Sequence, residues 1–119
     1  MKKLIIIEDD TDAREMAVFT FENNGYEVVK AGKDISIQEV IALKPHIIVV
    51  GYQLSGGTPG SEVCLKLKAD KATKDIPVIL YSPNVDMDKI SQSACADGYV
   101  AKPLELEDFM YLVHRIALS

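Results

Sequence analysis

The groups able to do chemistry in this sequence fall at the ends of short apolar runs. Leu4-Ile5-Ile6-Ile7 leads into Glu8-Asp9-Asp10, Pro77-Val78-Ile79-Leu80-Tyr81 into Ser82, and Tyr99-Val100-Ala101 into Lys102-Pro103. Carboxylates, a hydroxyl and an ammonium form a set suited to phosphoryl groups. Acidic oxygens hold Mg²⁺, a lysine pairs with a phosphate oxygen, and a hydroxyl donates to one. A further apolar run carries no such group at its end. Ile47-Ile48-Val49-Val50 leads straight to Gly51, and no acid occurs from there to Ser61. Glycine has no side chain with which to attack phosphorus or bind a metal, and covalent catalysis needs the carboxylate itself.

These groups meet only if the runs are strands of one sheet. Each run is apolar, without a polar alternation, and too short for a helix, which is the signature of a strand buried on both faces. Strands are predicted over residues 4–7, 26–30, 47–50, 77–81 and 99–101. The stretches 11–24, 35–43, 61–69, 87–96 and 104–118 are predicted helices. Asp10 or Thr11 suits the start of the first helix and Asn24-Gly25 its end, while Lys44-Pro45 limits the second. The longest irregular stretch is 51–60, rich in Gly, Ser and Pro. Five strands alternating with five helices imply an α/β chain, and right-handed crossovers leave few topologies. The expectation is a (βα)5 flavodoxin-like fold, a doubly wound parallel five-stranded sheet of order 2-1-3-4-5. Ligands of such sheets gather at the carboxyl ends of the strands.

Composition bounds the function. A length of 119 residues suits a single domain, 1–119, and 48% hydrophobic residues are enough for a core. The net charge of -5 argues against direct nucleic-acid binding, which needs clustered cations. Lys66, Lys68, Lys71 and Lys74 read as a solvated helix face. Cys64 and Cys95 have no metal-ligand spacing and read as small buried hydrophobes. Charged residues follow the first strand at once, which does not suit a signal peptide, and no apolar run approaches the ~20 residues that span a bilayer. A cytoplasmic protein without membrane contact is expected.

The ordered motifs Ile6-Ile7-Glu8-Asp9-Asp10, Ser82 and Tyr99-Val100-Ala101-Lys102-Pro103 resemble those of response-regulator receiver domains, the CheY-like modules of two-component signalling. The resemblance runs from about Lys3 to Ala117. Arg14-Glu15-Met16 and Asp75-Ile76-Pro77-Val78 also look like the receivers joined to DNA-binding output domains. The resemblance implies that Glu8 and Asp9 are the acidic pair for Mg²⁺ and that Ser82 is the hydroxyl switch. It likewise implies that Tyr99 is the aromatic switch, Lys102 the phosphoryl-contacting lysine and Pro103 the proline after it. Each has a plainer reading beside it. Glu8 and Asp9 also suit caps and solvated charge, Tyr99 a half-buried strand residue, and Pro103 a stop before the last helix.

The departure lies at Gly51, where the family carries its phosphoacceptor aspartate. Neither Tyr52 nor Gln53 supplies an acid on realignment, Ser55 replaces the usual proline, and the loop with Thr58-Pro59 is about one residue longer than the family pattern. No catalytic residue is therefore expected, no cofactor is required, and Mg²⁺ binding is weak at best. With its aspartate partner gone, Lys102 is expected to turn to Glu8 or Asp9. The implied function is an atypical receiver in signal transduction that works by phosphorylation-independent protein contacts. Its partner would be a sensor kinase, an output domain or a second copy in a homodimer, through the face of the fourth helix, fifth strand and fifth helix. Two other readings stay open. One is a module binding a small molecule or anion near Gly51, Ser82 and Lys102; the other is a phosphoacceptor using Asp9 or Asp10 instead.

Overall fold

The computed structural model describes residues 2–32, 35–51, 60–82, 98–101, 111 and 115. The chain runs β1 (Lys2–Ile7), α1 (Thr11–Glu22), β2 (Tyr26–Ala31), α2 (Ile37–Leu43), β3 (Ile47–Gly51), α3 (Gly60–Ala69), β4 (Val78–Ser82) and β5 (Gly98–Ala101). All strand pairings are parallel and the sheet order is β2-β1-β3-β4-β5, as predicted. The predicted helix over 87–96 lies outside the described residues. Of the one predicted over 104–118, only Tyr111 and Arg115 are described, and both are helical.

Strand pleating explains why the apolar runs have no polar alternation. Successive side chains point to opposite faces. Leu4, Ile6, Ile47, Val49 and Ile79 meet Ala17, Val18 and Phe21 of α1 on one face. Ile5, Ile7, Ile48, Val50, Val78 and Leu80 meet Val40 of α2 and Val63, Cys64 and Leu67 of α3 on the other. Both faces of the central strands are covered, so each of their positions must be apolar. Cys64 is fully buried, as its apolar surroundings suggested.

Local chemistry sets where the elements stop. Gly25, with φ +91°, turns the chain from α1 into β2, a conformation costly for any residue with a Cβ. Helix α2 begins at Ile37, two residues later than predicted, because Ser36 forms a capping box with Glu39. The Ser36 hydroxyl accepts from the Glu39 amide at 3.1 Å, and the Glu39 carboxylate accepts from the Ser36 amide at 3.2 Å. Lys44 ends that helix in the left-handed region, its amide donating to the Val40 carbonyl. Ser36→Ala removes half of the box and is expected to cost about 1 kcal/mol in a urea titration, with an unchanged slope.

At the amino edge, the Lys3 amide donates to Nδ1 of His46 at 2.9 Å and the Lys3 carbonyl accepts from the His46 amide at 2.8 Å. The imidazole thus extends the ladder between β1 and β3 by one bond. This pairing fixes the register in which Ile7 lies beside Val50, and so sets how far each strand reaches at the opposite edge.

Candidate functional site at the carboxyl edge of the sheet

The register brings four strand ends level. Ile7 pairs with Val50, Val50 with Leu80 and Leu80 with Tyr99; one residue further, Gly51 pairs with Tyr81 and Tyr81 with Val100. Ser82, paired with Ala101, is the last residue of β4. Glu8, Gly51, Ser82 and the end of β5 therefore share one edge, while Tyr99 sits within β5. Lys102 and Pro103, which follow Ala101, lie outside the described residues. So does the sequence-based expectation that Lys102 turns toward the acids.

Gly51 is the last residue of β3 and fully within the sheet, whereas the sequence placed it at the start of a loop. Its lack of a side chain has a visible consequence. A Cβ at this position would stand 2.9 Å from Oε2 of Glu8 and 3.1 Å from its carboxyl carbon. The Glu8 carboxylate thus lies over the Gly51 backbone, in the space that a side chain there would enter. It is a buried group, with Glu8 only 6% exposed. Its Oε2 accepts from the amide of Asp9 at 3.0 Å and, at the limit of bonding, from that of Asp10 at 3.5 Å. Two amides converging on one carboxylate offset part of what its burial costs.

Asp9 goes the other way. Its Oδ1 lies 3.8 Å from where a Cβ on Gly32 would stand, just beyond the end of β2. β1 lies between β2 and β3, so the two neighbouring acids lean toward different strands. Asp10 is exposed, and its carbonyl accepts from the Arg14 amide at 2.9 Å to open α1. Among the described residues, no three acidic, histidine or cysteine side chains are grouped as a metal would need.

Arg14 is the neighbour that sequence reasoning did not place at this edge. Its Nη1 approaches the Glu8 carbonyl at 3.5 Å and its Nε stands 3.7 Å from Oε1 of Glu15. A cation thus lies beside the acidic strand end. The available signal was helical spacing: four residues after Asp10, the first turn of α1 returns to the strand from which it left.

Comparison with known proteins agrees with this architecture. Residues 4–114 match the response regulator receiver domain family. The phosphate regulon transcriptional regulatory protein PhoB of Pseudomonas aeruginosa is 34% identical over 105 residues, which is 86% of this chain and 45% of that protein. PhoB of Escherichia coli is 30% identical over 118 residues, 97% of this chain and 50% of that protein. The chain thus spans about half the length of the curated relatives it matches. Among solved structures, a response regulator from Chloroflexus aurantiacus superposes with a TM-score of 0.90 at 25% identity, over 99% of this chain and 98% of that one. The chemotaxis response regulator CheY4 of Vibrio cholerae shares the fold, with a TM-score of 0.85 at 19% identity over 98% of each chain. With its sheet order, its acidic strand end and a match over nearly the whole length, the chain belongs to the response regulator receiver domain family.

Proposed function

We propose that this receiver acts in signal transduction through protein contacts that do not depend on its own phosphorylation. Gly51 holds the position at which the family carries its acceptor aspartate, and the observation that carries the reading is the Glu8 carboxylate lying in the space above it. A phosphoryl group needs both a nucleophile and room beside Ser82 and Lys102. Residue 51 offers no nucleophile, and the room holds a carboxylate. Ser82, Tyr99, Lys102 and Pro103 are then inherited parts of a pocket without its acceptor, and the chain is a signalling module rather than an enzyme.

The family's Mg²⁺ does not fit the observed arrangement. Mg²⁺ demands near-octahedral oxygens and sheds water reluctantly. Here Glu8 leans on β3 and Asp9 toward Gly32, so the two carboxylates do not converge, and the family's third carboxylate is missing. No cofactor is required for the proposed contacts. The alternatives lose support for related reasons. A small anion near Gly51 would meet the Glu8 carboxylate, and Asp9 or Asp10 as acceptor would lie away from Ser82, where in-line transfer has to occur.

The proposed partners are a sensor kinase, an output domain or a second copy, through the side to which β5 belongs. PhoB, the relative in both comparisons above, is a transcriptional regulatory protein by name. An output domain joined to this receiver is accordingly the first partner to seek. The test is incubation of the protein with Mg²⁺ and acetyl phosphate, read by intact mass beside a receiver that has its aspartate. The expected result is an unmodified chain beside a labelled control. A stoichiometric, hydroxylamine-sensitive phosphoryl adduct on this chain would overturn the reading.

A further inference from the structure

Strand β2 forms one edge of the sheet and, among the described residues, pairs with β1 alone. Its six residues match β1 without a bulge and contain no proline. Alternate residues of an edge strand direct their N–H and C=O groups outward, where another chain can pair with them. Proteins commonly blunt such edges with proline, bulges or charge, and β2 carries only Glu27 and Lys30. Beside this edge, between β2 and α2, lies a cleft of about 390 Å³ lined by Val29, Ala31, Gly32, Ile35, Glu39 and Leu43. Val29 and Ala31 pack toward α2, whereas Val28 packs toward α1. By strand pleating, Glu27 shares the α2 side with Val29 and Ala31, and Lys30 stands on the other, where it reaches Glu15 of α1 at 3.1 Å. The α2 side of the edge is therefore aliphatic at Val29 and Ala31 and acidic at the exposed Glu27 and Glu39. Glu27 meets Lys3 at 3.5 Å with its side chain 57% exposed, an ion pair weak enough for a competing cation to replace.

We infer that β2 and the cleft beside it dock an extended segment of a protein partner, which adds a strand to the edge of the sheet. The segment carries small aliphatic residues at alternate positions facing α2, with Lys or Arg flanking them. In this mode main-chain pairing supplies affinity and pockets for alternate side chains supply specificity. Val29 and Ala31, two residues apart on one side of β2, match the side-chain period of an added strand. Charge complementarity calls for the cations, since Glu27 and Glu39 both stand where the segment's aliphatic face would lie. It also selects a partner over a second copy of the chain. Two β2 edges related by a two-fold axis run antiparallel, and residues directly opposed across the pair lie on one face. Glu27 and Lys30 point to opposite faces, so no register of that pair lets them meet. Such docking gives the proposed interaction module its partner chemistry and rests on that reading for its biological sense, although the pairing itself needs no statement about residue 51. The surface lies at the opposite edge of the sheet from β5.

The test uses the whole chain, isotope-labelled, and two synthetic peptides, Lys-Thr-Val-Thr-Val-Thr-Lys and the same sequence with Glu in place of Lys. The basic peptide is expected to give saturable amide shifts centred on residues 27–31, with slowed hydrogen exchange at alternate amides of β2. The acidic peptide should bind at least about tenfold more weakly, because like charges would face Glu27 and Glu39. Of two basic peptides N-methylated at alternate residues, one is expected to keep binding and the other to lose it, since only one edge of the peptide pairs. Glu27→Lys with Glu39→Gln should reverse the preference between the peptides, which mere loss of structure cannot do, and glutamine at position 39 still serves the capping box. Shifts centred elsewhere, equal binding of both peptides, binding of neither, the same response to both methylations, or a dimer in sedimentation whose interface protects β2 would each overturn the inference. The phosphodonor experiment above is independent of these outcomes, so the two readings fail separately.

Discussion

Gly51→Asp is expected to turn a chain that ignores acetyl phosphate into one that takes a single phosphoryl group, read as an adduct in intact mass that appears only with Mg²⁺. The substitution enters the last position of β3, at the carboxyl edge of the sheet. Gly51 ends β3 between β1 and β4, level with the ends of the strands that carry Glu8 and Ser82. The new Cβ would stand 2.9 Å from Oε2 of Glu8, closer than carbon and oxygen tolerate, so Glu8 has to move. The obstructing atom is the far end of a flexible side chain, and swinging it outward leaves the strands in place. What remains is charge. Two carboxylates in contact disfavour joint ionisation, raising the pKa of one above its value in the unfolded chain.

The sign of that effect is fixed. A carboxyl group whose folded pKa is raised destabilises the fold at pH values above its unfolded pKa, and the penalty fades as acid protonates one of the pair. Gly51→Asp without metal should therefore be less stable than the parent by about 1–2 kcal/mol at neutral pH. The deficit should close toward acidic pH and close also when Mg²⁺ is added, because a dication between the carboxylates removes their repulsion. A variant that gains Mg²⁺-dependent stability but no adduct would show that the pocket beyond residue 51 has also lost its function. A parent chain already labelled would instead sink the proposal itself.

The fold was legible because its information is coarse. Ile5-Ile6-Ile7 and Ile47-Ile48-Val49-Val50 are apolar at every position only because helices cover both faces of the sheet, and that single fact predicts strands, layers and order together. The site was legible by residue type but not by direction. Nothing in Glu8-Asp9 says that neighbouring acids lean to opposite strands. The outcome depends on the space over Gly51, on the amides of Asp9 and Asp10, and on β1 lying between β2 and β3. Gly51 itself was misplaced at the start of a loop, because glycine is a poor strand former by propensity. Its backbone pairing within the sheet, rather than any side-chain preference, keeps it in β3.

The first helix shows a limit of a different kind, and it yields the largest stability effect expected in this chain. Phe19 and Phe21 are two residues apart in one helix, the same side chain in nearly the same sequence. Ala13, Ala17 and Phe21 recur at helical spacing and mark one face, but the apolar Met16, Val18 and Phe19 among them blur where that face ends. The structure separates them: Phe21 is 1% exposed and Phe19 is 70% exposed. Phe21 sits among Leu4, Ile6 and Val18, and its ring meets that of Tyr26 edge-on at 5.9 Å and 77°. Burial there also pushes the Tyr26 hydroxyl above its usual pKa. Phe21→Ala opens a cavity between α1 and the sheet and is expected to cost about 3–5 kcal/mol, enough to lower the urea midpoint steeply or unfold a marginal domain. Phe19→Ala removes the same atoms from water-facing surface and is expected to change stability by no more than about 0.5 kcal/mol. A large Phe19 effect in the same denaturation series would mean that the outer face of α1 is covered within the chain itself. A silent Phe19 beside a costly Phe21 would separate the residue that holds α1 to the sheet from the residue that α1 holds out to solvent.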